Sequence, residues 1–328
     1  MTHDDLTAPP SPQGLRTAVP ALLRRLLVRL LGALAVLIGA ATVAFAALQL
    51  VPGDPVTVML GPGTAATPEV KAEIRAAYGL DQPVAVQYLH YLGRLLGGDL
   101  GESYQLQRPV AGLIADQLGP TVQLALAALV LAVALALLTA TATAGRRPAL
   151  RGLSSLLELL AVSSPSYWIG ILLLTAFSFQ LRIFPVAGDQ DLSALVLPAL
   201  TLALPLTGVL TQVLREGLES TLGQPFVLTA RSRGLAPAAV LLRHALRHTA
   251  GPVATLTGWL TGSLLGGAVL VETVFGRPGI GALSLQGAVN KDMPLVIGLV
   301  LLSALVFVLI STLVDLLHLA ADPRLRSR

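Results

Sequence analysis

Six apolar runs, at about 30–51, 119–143, 153–180, 193–214, 252–274 and 294–318, dominate this chain. Each is long enough to cross the roughly 30 Å hydrocarbon layer of a bilayer, which takes about 20 helical residues. Backbone N–H and C=O groups in hydrocarbon must be satisfied within the segment or a closed barrel, so runs of this length are helices. Only 12% of the 328 residues are charged and 54% are hydrophobic, against about 25% charged in soluble chains. The sequence therefore predicts an all-α polytopic membrane protein with six transmembrane helices.

Orientation follows from the basic residues. Arg16, Arg24, Arg25, Arg29, Arg146, Arg147, Arg151, Arg215, Arg231, Arg233, Arg243, Arg247, Arg324, Arg326 and Arg328 fall on one side, and the remaining seven on the other. Four of those seven lie in a loop of more than about 60 residues, which responds weakly to the positive-inside rule, and discounting them leaves 15 against 3. Both termini are expected in the cytoplasm. The expected order is a disordered tail (1–23), a first transmembrane helix (24–51), an extracytoplasmic helical region (52–117), a five-span core (118–318) with a cytoplasmic loop at 215–250, and a short cytoplasmic tail (319–328).

The first span has a rival. Arginines followed by an apolar run and Ala44-Phe45-Ala46 resemble a cleavable signal peptide, but the run from Leu30 to Val51 is 22 residues, longer than a signal core, and it is read as a retained span. In the outer region, Thr67-Pro68-Glu69 starts one helix, which Gly79 ends, and a second runs from Asp81 to Leu96 before Gly97-Gly98. The second carries Tyr88, Leu89, Leu92, Leu95 and Leu96 near one face. It suits either the outer membrane surface or packing against the chain's own spans.

Several chemistries are excluded. There is no cysteine, hence no disulfide and no thiolate site. Neither Lys71 nor Lys291 follows a glycine, so there is no P-loop, and no cofactor is expected on this chain. The turn at Gly276–Gly281 follows a span rather than a strand. His244 and His248 stand one helical turn apart, yet Arg243 and Arg247 beside them would repel a metal ion. Asp116, Glu158, Glu272 and Asp315 lie near span ends, not in mid-membrane, which weakens the main alternative, an ion-gradient-driven secondary transporter.

Residues 226–248, "FVLTARSRGLAPAAVLLRHALRH", hold four arginines, two histidines and no acid. A short helix is expected from about Gln224 or Pro225 to Arg233, with Gly234 in the left-handed C-cap position and Pro237 opening a second helix. On that second helix Leu241, Leu242 and Ala245 share a face. A DNA-reading domain needs to be free and stable by itself, which a loop of about 35 residues between two spans is not, so no nucleic-acid partner is expected. A loop resting on anionic lipid is the other physical reading.

"LVPGDPV" (50–56), "YGLDQPVAVQYLHYLGRLLGGDLGESY" (78–104), "TARSRGL" (229–235), "VLVETVFGRPGIG" (269–281) and "LVDLLHLAADPRLR" (313–326) resemble the permease subunits of dipeptide, oligopeptide and nickel ABC importers. The resemblance implies a type I importer fold, with a peripheral first helix and a five-helix core. It implies as partners a second homologous permease subunit, two cytoplasmic ATP-binding subunits and an extracytoplasmic substrate-binding protein, besides membrane lipid. It also implies that the basic loop docks on the ATPase through Thr229, Ala230, Arg231, Arg233, Gly234, Leu235 and Pro237. The family pattern Glu-Ala-Ala, three residues, then Gly is set against Thr229, Ala230, Arg231 and Gly234: one alanine and the glycine match. The helix-breaking pairs Ser164-Pro165 and Leu197-Pro198, with Thr201, are candidates for the translocation path, through which a peptide or a related small solute would pass. They equally suit simple kinks in packed helices.

Overall fold

The computed structural model describes residues 13–50, 54–60, 66–77, 79–145 and 148–321. Arg146, Arg147, Arg324, Arg326 and Arg328 of the charge count, and residues 1–12 of the tail, lie outside them. The helices are α1 (Gln13–Leu50), α2 (Pro55–Leu60), α3 (Pro68–Ala77), α4 (Val84–Leu96), α5 (Val110–Thr143), α6 (Pro148–Ser163), α7 (Ser166–Leu173), α8 (Ser193–Leu222), α9 (Pro225–Ser232), α10 (Pro237–Val240), α11 (Leu246–Val274), α12 (Ile280–Val289) and α13 (Met293–Ala321). Helix α7 continues as a π-helix to Gln180, and a π-helical turn at Leu241–Ala245 joins α10 to α11. Apart from one isolated bridge between Glu102 and Pro109, the described residues form no β-structure.

Helices α1, α5, α8 and α13 each carry an uninterrupted apolar stretch long enough to span, and two bent pairs raise the number to six if each pair is one span. The run 153–180 is one of these pairs. Pro165 lacks the backbone donor that would extend α6, which ends at Ser163, and the chain bends by 108° between the two arms. The run 252–274 belongs to the other pair, Pro237–Leu264 and Gly266–Val274, which is bent by 53°. Leu197-Pro198 does not break its helix: α8 runs through Pro198 and Pro205.

Two further expectations differ from the structure, and one helix was not expected. Residues 13–23 are helical rather than disordered, because leucine, alanine and arginine are strong helix formers and extend the turns of the adjoining apolar run. Helix α8 ends at Leu222, beyond the expected 214, and the glycine-rich stretch after Val274 leads into α12, which the sequence reading passed over.

Helix α8 is the centre of the fold, packed against α5, α6, α7 and α11. On α5 the buried stripe Leu124, Ala128, Ala132, Ala136 and Ala140 recurs every four residues, the spacing of one helix face. With no side chain beyond Cβ, these alanines let α8 approach closely and set Leu202, Leu206 and Leu210 into a common core with Leu260 and Leu264 of α11. Helix α1 packs on α13 at the edge. Helix α4 packs against the chain's own first helix and leaves part of its apolar surface uncovered. Tyr88 and Tyr91 lie 5.3 and 5.7 Å from the Phe45 ring of α1, while Leu89 and Leu96 stay exposed.

Helix α5, 34 residues and hence about 51 Å long, reaches beyond the hydrocarbon layer. There Val110, Leu113 and Ile114 pack with Ile280, Leu283, Leu295 and Leu299 in a second core. Asp292 fastens the preceding loop to it. Its buried carboxylate accepts a hydrogen bond from Ser103 Oγ and others from the N–H groups of Tyr104 and Gln105, both at 3.2 Å.

Among the described residues one ion pair is buried. Arg215 of α8 donates from Nη1 and Nη2 to Glu158 Oε1 and Oε2 of α6, at 2.6 and 2.7 Å, and Ser154 Oγ donates to Oε1 at 2.5 Å. The bidentate geometry compensates two charges that water does not reach. Arg215→Met or Glu158→Leu alone strands one charge and is expected to cost about 3–5 kcal/mol, whereas the double substitution recovers most of it. Unfolding in mixed micelles measures this; single variants as stable as the double would contradict it.

Candidate functional site

The basic loop is built as expected at its turn. Helix α9 starts with Pro225 at its first position and ends at Ser232, and Gly234 takes φ +82°, where a left-handed residue closes a helix. The N–H of Gly234 donates to Arg231 O at 2.9 Å and that of Leu235 to Ala230 O at 3.3 Å. An added Cβ at Gly234 would meet nothing within 4 Å, so the backbone angle alone demands glycine there. Helix α10 then opens with Pro237 at its first turn. The second helix of the loop is not separate, because it runs through the π-helical turn into α11.

This loop is anchored to the core. Leu214 and Leu218 of α8 pack with Ala245 and with Ala140 and Ala144 at the end of α5. Gly217 lets Thr249 approach so closely that a Cβ there would lie 2.6 Å from Thr249 Cγ2. Val227 and Val240 are buried, and the Phe226 ring lies 5.5 Å from that of His248. Of the expected hydrophobic face, Leu241 and Ala245 pack inward but Leu242 is exposed, since the wider π turn rotates it out of register.

Thr229, Arg231, Arg233, Gly234 and Pro237 are exposed, and Ala230 and Leu235 are half-buried. Beside them stands Leu228, 74% exposed on a helix otherwise held down by Val227. Sequence reasoning passed it over because its register was one residue off. Counting three residues back from Gly234 places Leu228, Thr229 and Ala230 over the Glu-Ala-Ala positions, so a leucine stands where the pattern has its acid.

The path candidates divide. Ser164 is half-buried and Pro165 exposed at the elbow between α6 and α7, with Ser164 Oγ donating to Leu160 O at 2.7 Å. Pro198 and Thr201 are buried inside the subunit, and Thr201 Oγ1 donates to Leu197 O at 2.8 Å. The elbow and the loop are joined through α8. Glu158, on the α6 arm leading to the elbow, grips Arg215, which is two residues from the glycine that seats Thr249. Arg151 of α6 pairs with Glu219 of α8 at 3.2 Å.

A chain made of long apolar helices around a buried central one, with a basic loop packed on the core at one end, has the build of a polytopic membrane protein. Its sequence places it further. Residues 132–327 match the family described as "Binding-protein-dependent transport system inner membrane component", and residues 22–125 match the N-terminal region of such membrane components. A Brucella abortus (strain 2308) protein named as a peptide transport system permease is 38% identical over 92% of this chain and 98% of its own length. The glutathione transport system permease protein GsiC of Salmonella typhimurium is 35% identical over 93% of this chain and 99% of its own. A solved amino acid ABC transporter is 18% identical over 63% of this chain and 93% of its own, with a TM-score of 0.48, too slight a likeness to add to these. The chain belongs to the binding-protein-dependent transport system inner membrane components, the permease subunits of ABC importers. Such a permease is a multi-pass inner-membrane protein and works with other permease, ATPase and binding-protein components, which sets aside the ion-gradient alternative.

Proposed function

We propose that this permease carries a peptide or a related small solute, and that α9 with its flanking turns is the element on which ATP hydrolysis acts. The observation that carries the second part is the state of Leu228. A large apolar side chain left exposed in the middle of a short anchored helix, beside Thr229, Ala230, Arg231, Arg233, Gly234, Leu235 and Pro237, suits a partner's cleft better than water. Relatives named for peptide and glutathione transport support the substrate class.

The partners in this reading are a second homologous permease, two cytoplasmic ATP-binding subunits and an extracytoplasmic binding protein. The path runs between the two permeases, with the Ser164-Pro165 elbow at its wall and Pro198 and Thr201 supporting it from behind. Rotation of α9 by the ATPase is passed through the Leu214–Leu218 contacts to α8, and through the Arg215–Glu158 pair to α6 and the elbow. Each bent pair counts as one span, which makes six and puts both termini in the cytoplasm. The outer region from α2 to the start of α5 then lies outside, where the exposed Leu89 and Leu96 of α4 can rest on lipid.

Reporter fusions after residues 150 and 328 are expected to read cytoplasmic, and fusions near 90 and 188 external; a C-terminus outside the cell would end this topology. For coupling, Gly234→Val forces a β-branched residue into the left-handed region, at about 1–2 kcal/mol, and re-aims the turn. Both Gly234→Val and Leu228→Asp are expected to lower ATP hydrolysis stimulated by loaded binding protein, and uptake with it, at least fivefold in the reconstituted complex. Arg247→Ala is expected to change either less than twofold. Normal stimulation in the first two would return the loop to a lipid-surface role.

A further inference from the structure

The second charged cluster lies at the far end of α11. Glu272 is fully buried, and each of its oxygens has a donor: Thr121 Oγ1 at 2.6 Å and the N–H of Ala282 at 3.0 Å. Thr121 Oγ1 in turn accepts from the N–H of Ile280 at 2.8 Å, so the carboxylate pins the start of α12 to α5. The backbone passes so close that a Cβ at Gly279 would lie 2.2 Å from the Glu272 carboxyl carbon, and one at Gly281 2.4 Å from Val269 Cα. Glu272 is thereby accounted for as a structural clamp.

Arg277 is not. It is 3% exposed, its Nη2 donates to Gln123 Oε1 at 2.9 Å, and its Nε and Nη1 have no hydrogen-bond partner among the described residues. It forms no ion pair within 4 Å among them, and the charge of the Glu272 carboxylate acts on it only at longer range. A buried guanidinium is ordinarily paired with an anion, because a neutral amide oxygen compensates only part of its lost hydration. Arg277 also lines an open cleft of about 610 Å³, with Gln286 and Asn290 supplying amides and Ala282, Leu285 and Val289 an apolar wall. That size and mixture suit a small organic ligand.

We infer that this cleft is a subsite for the free carboxylate of the transported solute, bound by Arg277. The inference rests on the reading that the solute is a peptide or a close relative of one. The cation meets the terminal carboxylate, the two side-chain amides meet neighbouring peptide groups, and the apolar wall takes a side chain.

The test uses the complete importer in proteoliposomes, with alanine peptides of two to five residues and their C-terminal amides, each supplied at concentrations that saturate the binding protein. R277Q is expected to lower uptake of the free acids per ATP hydrolysed at least tenfold, to leave uptake of the amides unchanged, and to leave the affinity for loaded binding protein unchanged. R277K, which keeps the charge, is expected to lose less than threefold. An equal fall for acids and amides would make Arg277 a structural residue and overturn the proposal. Weakened docking of the binding protein would assign the missing carboxylate to that partner and overturn it too, as would no effect at all. If the unsubstituted importer carries no peptide, the peptide reading fails and the subsite with it; peptide uptake that ignores Arg277 removes the subsite alone.

Discussion

Everything in this fold depends on how closely α8 lies against α5. In a bilayer, helices gain little from hiding apolar surface from one another, because the lipid tails are equally apolar; close packing and satisfied polar contacts hold them together instead. The alanine stripe at 128, 132, 136 and 140 supplies the first. By keeping α5 thin along one face it seats α8 deep enough that α6, α7 and α11 all reach it. The Arg215–Glu158 pair supplies the second, at a depth where neither charge could be tolerated alone. Gly208 makes that pair possible: a Cβ there would lie 2.8 Å from Glu158 O.

The functional consequence is mechanical. The basic loop is a continuation of α8 on one side and of α11 on the other, and it is packed against the end of α5 through Leu214, Leu218 and Ala245. A force on α9 therefore acts on the helix at the centre of the subunit. A sharp break in that packed assembly is Ser164-Pro165, where the chain bends by 108° between α6 and α7. Motion is best absorbed where a proline already interrupts the hydrogen-bond ladder. The proposed path and the proposed coupling site are then two ends of one packed unit.

What was legible in the sequence was whatever is written in local order. Hydropathy located the apolar runs, and Gly234 and Pro237 announced the loop's turn, because a left-handed cap and a first-turn proline are local chemistry. Hydropathy misplaced the end of α8, because Arg215 looks like a boundary until its partner is known. That partner is 57 residues away, and the Thr121–Glu272 and Ser103–Asp292 bonds join residues 151 and 189 apart. Pairings at such distances leave no mark on one sequence. Ser164-Pro165 and Leu197-Pro198 look alike on paper. Only the first breaks its helix, because α8 is gripped on several sides through its proline whereas the α6–α7 elbow is partly exposed.

The central claim is that Leu228 sits in the ATPase. The chain has no cysteine, so Leu228→Cys introduces a single thiol into this subunit, and a short bifunctional maleimide can report its neighbour in the assembled importer. Linkage to an ATP-binding subunit that varies with nucleotide state is the expected result, with no such linkage from Leu126→Cys on the exposed face of α5. Failure of Leu228→Cys to reach the ATPase in any nucleotide state would contradict the account.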